Sequence, residues 1–402
     1  MKKNAVIVIG GGVNGLGIVR NIGRYGIDVL CIIEKEDFAC KSKYIKQSIV
    51  YSELISNHES VFNLFEKILE TNDYEKYVII PVSDQFVDFF ARNKQKLKPN
   101  MLVNIPDSEI IDILINKNRF YSLLQTLNIP HPKTYSLKDI KNIDEILECL
   151  DFPFFLKPFK SHEFRAEFNG QKGFTINDTN DWYEKIKIIS QKTIPVVVNE
   201  IIPGNSKNHF FIDGYCNQNG NIQSLFTRRR IHMHPLDWGN STSMVSIPIN
   251  QIQPAVEDLK RLLKHINYYG IFSAEVKYDY RDNLYKFIEI NARSWWYNMF
   301  PTHCGTNIIK MIFDDLITGT INNNNELHLL NKYHIYLWPE IKAIIQMVKQ
   351  KEKSLIDILK EMKFPASYPI FAQDDLLPFI WRFFERLQQF VYSIKKNIIS
   401  IN

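Results

Sequence analysis

The chain has 402 residues, of which 45% are hydrophobic and 23% are charged. These values are ordinary for a globular protein, and the length predicts two or three domains, each with a substantial core. The net charge of +5 is small for this length. It gives no reason to expect a nucleic-acid partner, whereas acidic or phosphorylated small molecules are compatible with it.

The sequence carries no targeting or redox signal that we recognise. The apolar stretch near the N-terminus runs into a glycine-rich turn, and no apolar run reaches the roughly 18 residues that a transmembrane helix needs. The five cysteines lie far apart, without the spacing of a zinc site or a redox pair. We therefore expect a cytoplasmic protein with reduced thiols and no transmembrane segment.

The first hundred residues alternate between strand and helix patterns. Apolar runs at 5–9, 28–33 and 77–84 predict buried strands, and the segments between them have apolar residues at helical spacing, the first helix starting at Gly15. This order predicts an α/β domain over residues 1–112, with a parallel, Rossmann-like sheet.

The turn after the first strand, GGGVNG (10–15), allows two interpretations. It satisfies G-x-G-x-x-G, and Glu34 follows Gly15 by 19 residues, which is typical of a dinucleotide site in an NAD(P)-dependent oxidoreductase. Alternatively, the turn binds another anion, because glycines admit close backbone approach and amides at a helix N-terminus attract negative charge.

The middle of the chain has an α+β pattern. Residues 117–135 predict a helix closed by a turn, because the two prolines there cannot lie in a helix interior. Apolar runs at 152–159 and 196–204 predict strands, and 270–293 predicts two strands around a turn. The domains expected after the first are two α+β subdomains and a helical C-terminal extension, covering residues 113–195, 196–325 and 326–402 respectively.

The C-terminal extension ends in an aromatic-rich, amphipathic helix pattern with basic residues interspersed. Three roles are open for it: packing on the body of the protein, pairing with a second copy in a homodimer, or peripheral contact with a membrane surface.

Three polar residues between 270 and 293 indicate a metal site. Glu289 and Asn291 are two apart on one predicted strand, so they project from the same face, and a hairpin brings Glu275 alongside. Two carboxylates and an amide oxygen suit Mg²⁺. Arg293 continues the alternation and would stabilise a transferring phosphoryl group. The alternative is a solvated hairpin of alternating charge, against which the apolar neighbours of Glu289 argue.

A lysine among apolar residues indicates a phosphate ligand. Lys157 lies at the centre of FFLKPF, where an ammonium is costly without an anionic partner. Taken alone, Lys117 and Lys172 are ordinary surface lysines. In NEIIPG (199–204), backbone groups at the end of the strand can bind an adenine edge, and Glu200 can accept a hydrogen bond from its amino group.

In combination these features resemble the ATP-grasp superfamily of carboxylate–amine ligases. The resemblance covers most of the chain in the family's order: the glycine-turn unit, "NK" opening a helix with "IPHP" behind it, "FLKP", Lys-Gly at 172–173, "NEIIPG" and "AEVKYD…FIEINAR". The last segment is the most specific. The resemblance implies an α/β pre-ATP-grasp domain, α+β ATP-grasp domains that bind ATP, and a helical C-terminal extension.

The resemblance also implies ligands and a reaction. ATP and two Mg²⁺ ions are the implied cofactors, with Mn²⁺ as the alternative metal. A carboxylate would attack the γ-phosphate to give an acyl phosphate, which an amine then converts to an amide. The implied ligands are Lys117, Lys157 and Lys172 for the phosphates, Glu200, Ile201 and Ile202 for the adenine, Glu275, Glu289 and Asn291 for the metals, and Arg293 for the acyl phosphate.

More narrowly, the chain looks like the branch that contains D-aspartate ligase and ligases encoded with surface-polysaccharide genes. There, Arg228 and Arg230 of FTRRRIHMHP would flank the phosphates or an anionic substrate, the alternative being a solvated strand edge. The glycine-rich turn would then bind a carboxylate or phosphate of the substrate. The implied substrate-binding residues there are Gly11, Gly12, Val13, Asn14 and Asp84.

The implied partners are a small-molecule carboxylate and an amine, with a glycan or peptidoglycan precursor as one candidate. A non-catalytic ATP-binding protein is a further hypothesis, since it would share the fold. The intact set of Glu275, Glu289 and Asn291 argues against it.

Overall fold

The computed structural model describes residues 2–54, 57–138, 143–160, 164, 167–168, 170–192, 194–236, 239–321, 328–361 and 366–399. For residues 359, 361, 366 and 390–399 only the backbone is described, so the predicted apolar positions beyond Gln389 lie outside the described side chains. No helix within these ranges has the length and hydropathy needed to cross a membrane.

Strands and helices are both distributed along the whole of the described chain. The strands are β1 (Ala5–Ile9), β2 (Asp28–Ile33), β3 (Ile45–Val50), β4 (Tyr77–Pro81), β5 (Met101–Leu102), β6 (Thr134–Ser136), β7 (Phe154–Pro158), β8 (Phe174–Ile176), β9 (Val196–Glu200), β10 (His209–Cys216), β11 (Ile222–His234), β12 (Asn240–Ser246), β13 (Gly270–Asp279), β14 (Leu284–Asn291), β15 (Tyr333–Ile335) and β16 (Ala366–Ser367). The helices are α1 (Gly12–Gly23), α2 (Ser60–Thr71), α3 (Asp84–Asn93), α4 (Ser108–Ile115), α5 (Lys117–Thr126), α6 (Glu145–Cys149), α7 (Thr179–Lys192), α8 (Gln253–His265), α9 (Met299–His303), α10 (Ile308–Thr318), α11 (Leu337–Lys349), α12 (Leu355–Glu361) and α13 (Leu377–Ile399).

The chain divides into two compact units that do not follow the sequence order. Unit 1 contains Met1–Asn104, Met233–Val245 and Arg293–Asn402, and unit 2 contains Ile105–His232 and Ser246–Ala292. Unit 1 thus combines the N-terminal sheet with the C-terminal extension. The four consecutive domains expected from the sequence stay a prediction.

Unit 1 is built around a parallel sheet with the order β3-β2-β1-β4-β5 in the described ranges. Every residue of β1 and β4 is buried, as expected for parallel strands covered on both faces. The strand order reverses between β1 and β4, and ligand crevices of such sheets lie at the carboxyl ends of the strands at that point. We call this part of unit 1 the switch-point crevice.

Glycines in the turn after β1 meet a steric requirement. Gly10 and Gly12 have φ values of +110° and +65°, a region that side chains with a Cβ rarely adopt. A Cβ on Gly15 would lie 2.4 Å from the carbonyl oxygen of Gly10. The GGGVNG pattern is therefore explained by the path of the backbone, whatever the turn binds.

Two antiparallel sheets form unit 2. One has the order β6-β9-β7-β8 and the other contains β14-β13-β10-β11. The first sheet covers a core of buried aliphatic and aromatic side chains, which include Phe154, Leu156, Phe164, Trp182 and Val198. Alternate residues of β7 face this core, so Lys157 projects from the opposite face.

The C-terminal extension is attached to α1 through buried charges. Arg20 donates from Nε to Asp375 at 2.9 Å, and both side chains are 1% exposed. Arg24 pairs with Asp374 at 2.8 Å. The Oγ of Ser42 also donates to Asp375, at 2.7 Å. Because a buried charge requires a partner, these contacts fix the segment before α13 to unit 1.

The predicted fold class is confirmed, with differences in detail. The strand expected at 28–33 forms there, the strand expected at 196–204 ends at Glu200, and α1 begins at Gly12 rather than at the predicted Gly15. The extension is not wholly helical, since β15 pairs with β12 and β16 pairs with β15. The sequence patterns gave no prediction for β10 or β12, whose buried residues run almost continuously and do not alternate.

Candidate active site

The hairpin β13–β14 brings two carboxylates together in unit 2. Glu275 lies directly opposite Glu289 in the strand register, and an irregularity follows between Glu275 and Val276. Asn291, two residues further along β14, donates from Nδ2 to Oε1 of Glu289 at 3.2 Å. The three predicted metal ligands therefore share one face of the sheet. We call these three side chains and their basic neighbours the carboxylate site.

Basic side chains surround both carboxylates. Lys117 donates from Nζ to Oε2 of Glu289 at 3.0 Å. Arg230 donates to Oε1 of Glu275 at 3.1 Å, and Nδ1 of His209 lies 2.7 Å from the same oxygen. Lys117 lowers the pKa of Glu289 more than burial raises it. Burial raises the pKa of Glu275, but Arg230 and His209 together outweigh it, so that its pKa also falls below the usual value.

His209 was not predicted as a site residue. Burial, aided by the charge of Arg230, lowers the pKa of its imidazole to about 4, so the ring is neutral at pH 7. A neutral ring that contacts a carboxylate oxygen donates from Nδ1. The pattern HFFID in β10 puts His209 two residues from Phe211, which lies opposite Glu275. That alternation becomes informative only when the pairing of β10 with β13 is known.

Lys157 lies close to the same charges. Burial lowers the pKa of its ammonium to about 8, and the positive charges of Lys117 and Lys172 act in the same direction, against the attraction of Glu289 and Glu275. A desolvated lysine beside other cations gains most when an anion binds. Lys172 itself is exposed, two residues before β8.

Arg228 has a different environment from Arg230. It is 1% exposed and donates from Nε to Asp213 at 2.6 Å, and Ser273 donates to the same carboxylate at 2.7 Å. The guanidinium groups of Arg228 and Arg230 lie 4.0 and 5.1 Å from the ring centroid of Phe211. Arg228 and Arg230 are two residues apart on β11 and therefore project from the same face of the sheet. Asp213, which the sequence reasoning missed, holds Arg228 there.

The residues predicted for adenine lie at the end of β9 and beyond. Oε2 of Glu200 accepts from Arg281 at 2.9 Å, and Oε1 accepts from the backbone N–H of Lys133 at 3.0 Å. The buried Ile202 accepts at its carbonyl from Nζ of Lys277 at 2.6 Å. Ile201 lies between them, half-buried. The carboxylate of Glu200 therefore already has hydrogen-bond partners within the chain, and Lys277 holds the backbone carbonyl of Ile202.

A cavity of about 680 Å³ opens beside this segment. Its walls are the loop behind α5, Glu200 and the β13–β14 turn. Its lining residues are Asn128, Ile129, Pro130, His131, Lys133, Glu200, Arg281, Asp282, Leu284 and Lys286.

In unit 1, the switch-point crevice already contains a carboxylate. The backbone N–H of Gly12 donates to Oδ2 of Asp37 at 2.6 Å, and that of Ala39 donates to Oδ1 at 2.7 Å. The sequence predicted that an external anion would bind at this amide. A substrate anion at Gly12 would have to displace Asp37, a residue that carries no motif of its own.

The side chain of Asn14 also forms hydrogen bonds within unit 1. It donates from Nδ2 to the carbonyl groups of Val82 and Ser294, at 3.0 and 2.8 Å. Val13 packs against the apolar cluster that includes Leu16. These contacts join α1 to the segments that follow β4 and β14.

Asp84 and Arg293 were predicted for separate tasks, and the structure brings them together. Arg293 donates from Nε to Oδ1 of Asp84 at 2.7 Å. Asp84 is the first residue of α3, where a negative charge is favourable. The pair is partly exposed in the switch-point crevice, with Arg293 24% and Asp84 41% exposed.

Comparison with known proteins supports the fold independently. No protein-family model matches the chain. The D-aspartate ligase of Enterococcus faecium (strain Aus0004) is 25% identical in an alignment of 388 residues, which covers 92% of this chain and 90% of the relative. Among solved structures, the L-amino acid ligase of Bacillus licheniformis is 15% identical with a TM-score of 0.59, covering 79% of this chain and 75% of the other.

A second solved structure is the biotin carboxylase domain of the Hydrogenobacter thermophilus 2-oxoglutarate carboxylase, in complex with MgADP, ADP and bicarbonate. It is 16% identical with a TM-score of 0.64, covering 83% of this chain and 73% of the other. The chain therefore has the ATP-grasp fold, and its sequence is similar to that of the D-aspartate ligase over 92% of the chain.

Proposed function

We propose that the protein is an ATP-dependent carboxylate–amine ligase that forms an amide through an acyl phosphate and releases ADP and phosphate. The observation that carries the proposal is the carboxylate site. Two ionised carboxylates and an amide lie on one face of a hairpin, with Lys117, Lys157 and Arg230 as the basic groups around them. A purely structural hairpin has no need of so many charges on one face.

The side chains fit a magnesium site that is completed by nucleotide phosphates. Among the described residues, no group of three or more His, Cys, Asp and Glu side chains is arranged for a metal. Mg²⁺ does not need one, because it usually takes one or two carboxylates together with phosphate oxygens and water. Glu275, Glu289 and Asn291 would hold it, with Mn²⁺ as the alternative and two ions as the expected number. The bound metal would neutralise charge on the phosphates.

The side chains of this chain have the charges that phosphoryl transfer requires. The substrate carboxylate attacks the γ-phosphorus, an O–P bond forms, and the bond to the bridging oxygen breaks so that ADP leaves. Lys117, Lys157 and Lys172 neutralise the phosphates, and Arg230 orients Glu275. The amine then attacks the acyl carbon, phosphate leaves, and the amine proton passes to solvent. Arg293, held by Asp84, is the proposed group for the acyl phosphate.

The adenine is proposed to bind at Glu200, Ile201 and Ile202 through the backbone, because the carboxylate of Glu200 is engaged by Arg281. The same interpretation makes Arg228 a positioning residue for Arg230. Gly11, Gly12, Val13, Asn14 and Asp84 stay the proposed substrate-binding residues.

The proposed substrates are an amino acid or another amine and a carboxylate from a cell-envelope precursor, a polysaccharide or a small metabolite. The name of the Enterococcus relative makes D-aspartate the first acid to test. ATP from the cytoplasm would supply the phosphoryl group and the free energy for the reaction. An NAD(P)-dependent oxidoreductase is the weaker alternative, because it leaves the carboxylate site and Lys157 without a role.

Incubation of the purified full-length protein with Mg-ATP and a panel of acids and amines tests the proposal. Amino acids of both configurations, uronic acids and peptidoglycan precursors form the panel, and release of ADP and phosphate is the readout. We expect release that requires both an acid and an amine, together with an amide product. A change in nicotinamide absorbance without ADP, or ADP release that no acid or amine alters, would refute the proposal.

A further inference from the structure

The helix α11 in unit 1 has an exposed apolar stripe. Leu337, Ile341, Ile345 and Val348 recur at intervals of four, four and three residues, so they lie on one face of the helix. Their side chains are 38–48% exposed. Two further apolar residues just beyond the helix, Leu355 and Ile356, are also exposed.

A second stripe runs along α13. Leu377, Ile380, Phe384 and Leu387 share one face and are 60%, 44%, 56% and 47% exposed. The opposite side of the helix packs on unit 1, where the guanidinium of Arg382 lies 5.0 Å from the centroid of the Phe38 ring. Packing on the body therefore accounts for one side of α13 and leaves the apolar stripe uncovered among the described residues.

The two helices meet at an apolar cavity of about 260 Å³. The ring centroids of Trp338 on α11 and Phe383 on α13 are 6.2 Å apart. The cavity opens between them. Its lining includes Tyr336, Trp338, Tyr368, Phe371, Phe379 and Arg382.

The charges beside α11 are positive. Lys342, Lys349 and Lys351 are exposed and have no ion pair among the described residues. The acidic residue of this helix, Glu340, is 2% exposed and accepts hydrogen bonds from Thr242 and Ser243. The exposed charges of α11 itself are therefore basic, whereas the segment after the helix also exposes Glu352 and Asp357 near Leu355 and Ile356.

We propose that the surface formed by the exposed faces of α11 and α13, here called the apolar surface, docks on an anionic lipid bilayer. Aliphatic and aromatic side chains bordered by lysines are the composition of interfacial helices, because the apolar face enters the acyl region while the lysines meet lipid phosphates. A second copy would bring the basic residues of α11 to both sides of the contact, because an isologous interface uses the same surface patch on both subunits. The site that performs the ligase reaction is not involved.

Vesicle co-sedimentation of the full-length protein tests the proposal. The vesicles are phosphatidylcholine alone and phosphatidylcholine mixed with phosphatidylglycerol, each at low and high salt. One variant combines Ile380→Glu with Phe384→Glu, and another combines Lys349→Glu with Lys351→Glu. Tyr280→Glu is the matched control, because Tyr280 is an aromatic residue of unit 2 that is 58% exposed and lies outside the apolar surface. Circular dichroism and thermal melts verify that each variant folds.

We expect binding to the anionic vesicles that weakens with salt. The two lysine reversals should lower the partition coefficient at least about 25-fold, since each lysine near an anionic surface contributes about fivefold and each new glutamate adds repulsion. The Ile380/Phe384 variant should lose binding, and Tyr280→Glu should bind like the wild type. Lack of binding to anionic vesicles, binding that neither double variant weakens, or a homodimer in light scattering that the Ile380/Phe384 variant dissolves would each overturn the proposal.

Discussion

Replacing Glu289 with glutamine tests the carboxylate site most directly. The change keeps the size of the side chain and removes its charge. It leaves Glu275 as the remaining carboxylate and Lys117 without its ion pair, whose Nζ–Oε2 distance is 3.0 Å. If Glu289 binds the metal that neutralises the phosphates, the variant should fold and bind ATP but should fail to release ADP.

The structure separates the expected effects on stability and on turnover. At 3.0 Å the ion pair has a gross attraction of about 5 kcal/mol at an effective dielectric constant of about 20. Glu289 is 36% exposed, so screening and desolvation leave about 1 kcal/mol of net stability. Loss of a metal ligand should cost about 4 kcal/mol or more in the transition state, which is about a thousandfold in rate.

The assay is ADP release with saturating acid and amine, alongside a thermal melt. Glu257→Gln is the matched control, since Glu257 is 56% exposed, pairs with Lys260 at 3.0 Å on α8 and lies outside the carboxylate site and the cavity beside Glu200. We expect the control to keep its turnover and both variants to melt within a few degrees of the wild type. Turnover of Glu289→Gln within tenfold of the wild type (about 1.4 kcal/mol) would refute the metal assignment.

Two further predictions concern buried charges in unit 2. Lys157→Met should raise the KM for ATP at least about tenfold without lowering the melting temperature, because the ammonium is already desolvated in the free protein; an unchanged KM would contradict a phosphate role. Burial alone would raise the pKa of Asp279, but hydrogen bonds from Arg281 and Lys286 bring it below the usual 3.8. The ionised carboxylate therefore stabilises the fold fully above about pH 4, and this contribution is lost as the pH falls further. The free energy of unfolding of Asp279→Asn should be about 2 kcal/mol lower at pH 7 and should fall less steeply below pH 4 in urea titrations. An equal pH dependence in the wild type and the variant would contradict this.

Much of the carboxylate site follows from spacing within single elements. Glu289 and Asn291 lie two apart on one strand, and the period of a strand fixes their common face. A short turn between β13 and β14 then leaves little choice in how Glu275 meets them. Lys157 was also predictable, because a lysine within an apolar strand requires an anion. These inferences depend on local geometry and on the cost of burying charge, both of which a sequence records.

Other features depend on contacts between residues that are far apart in the chain. Nothing in the neighbourhood of Asp37 indicates that its carboxylate takes the Gly12 amide, nor that Arg293 pairs with Asp84 across 209 positions. His209 lies in the carboxylate site only because β10 pairs with β13. The sequence by itself determined which side chains of β7 and of the β13–β14 hairpin are candidates for the site, since local periodicity and desolvation act along the chain. Tertiary structure alone decided which charges meet, because strand order and helix docking set those distances.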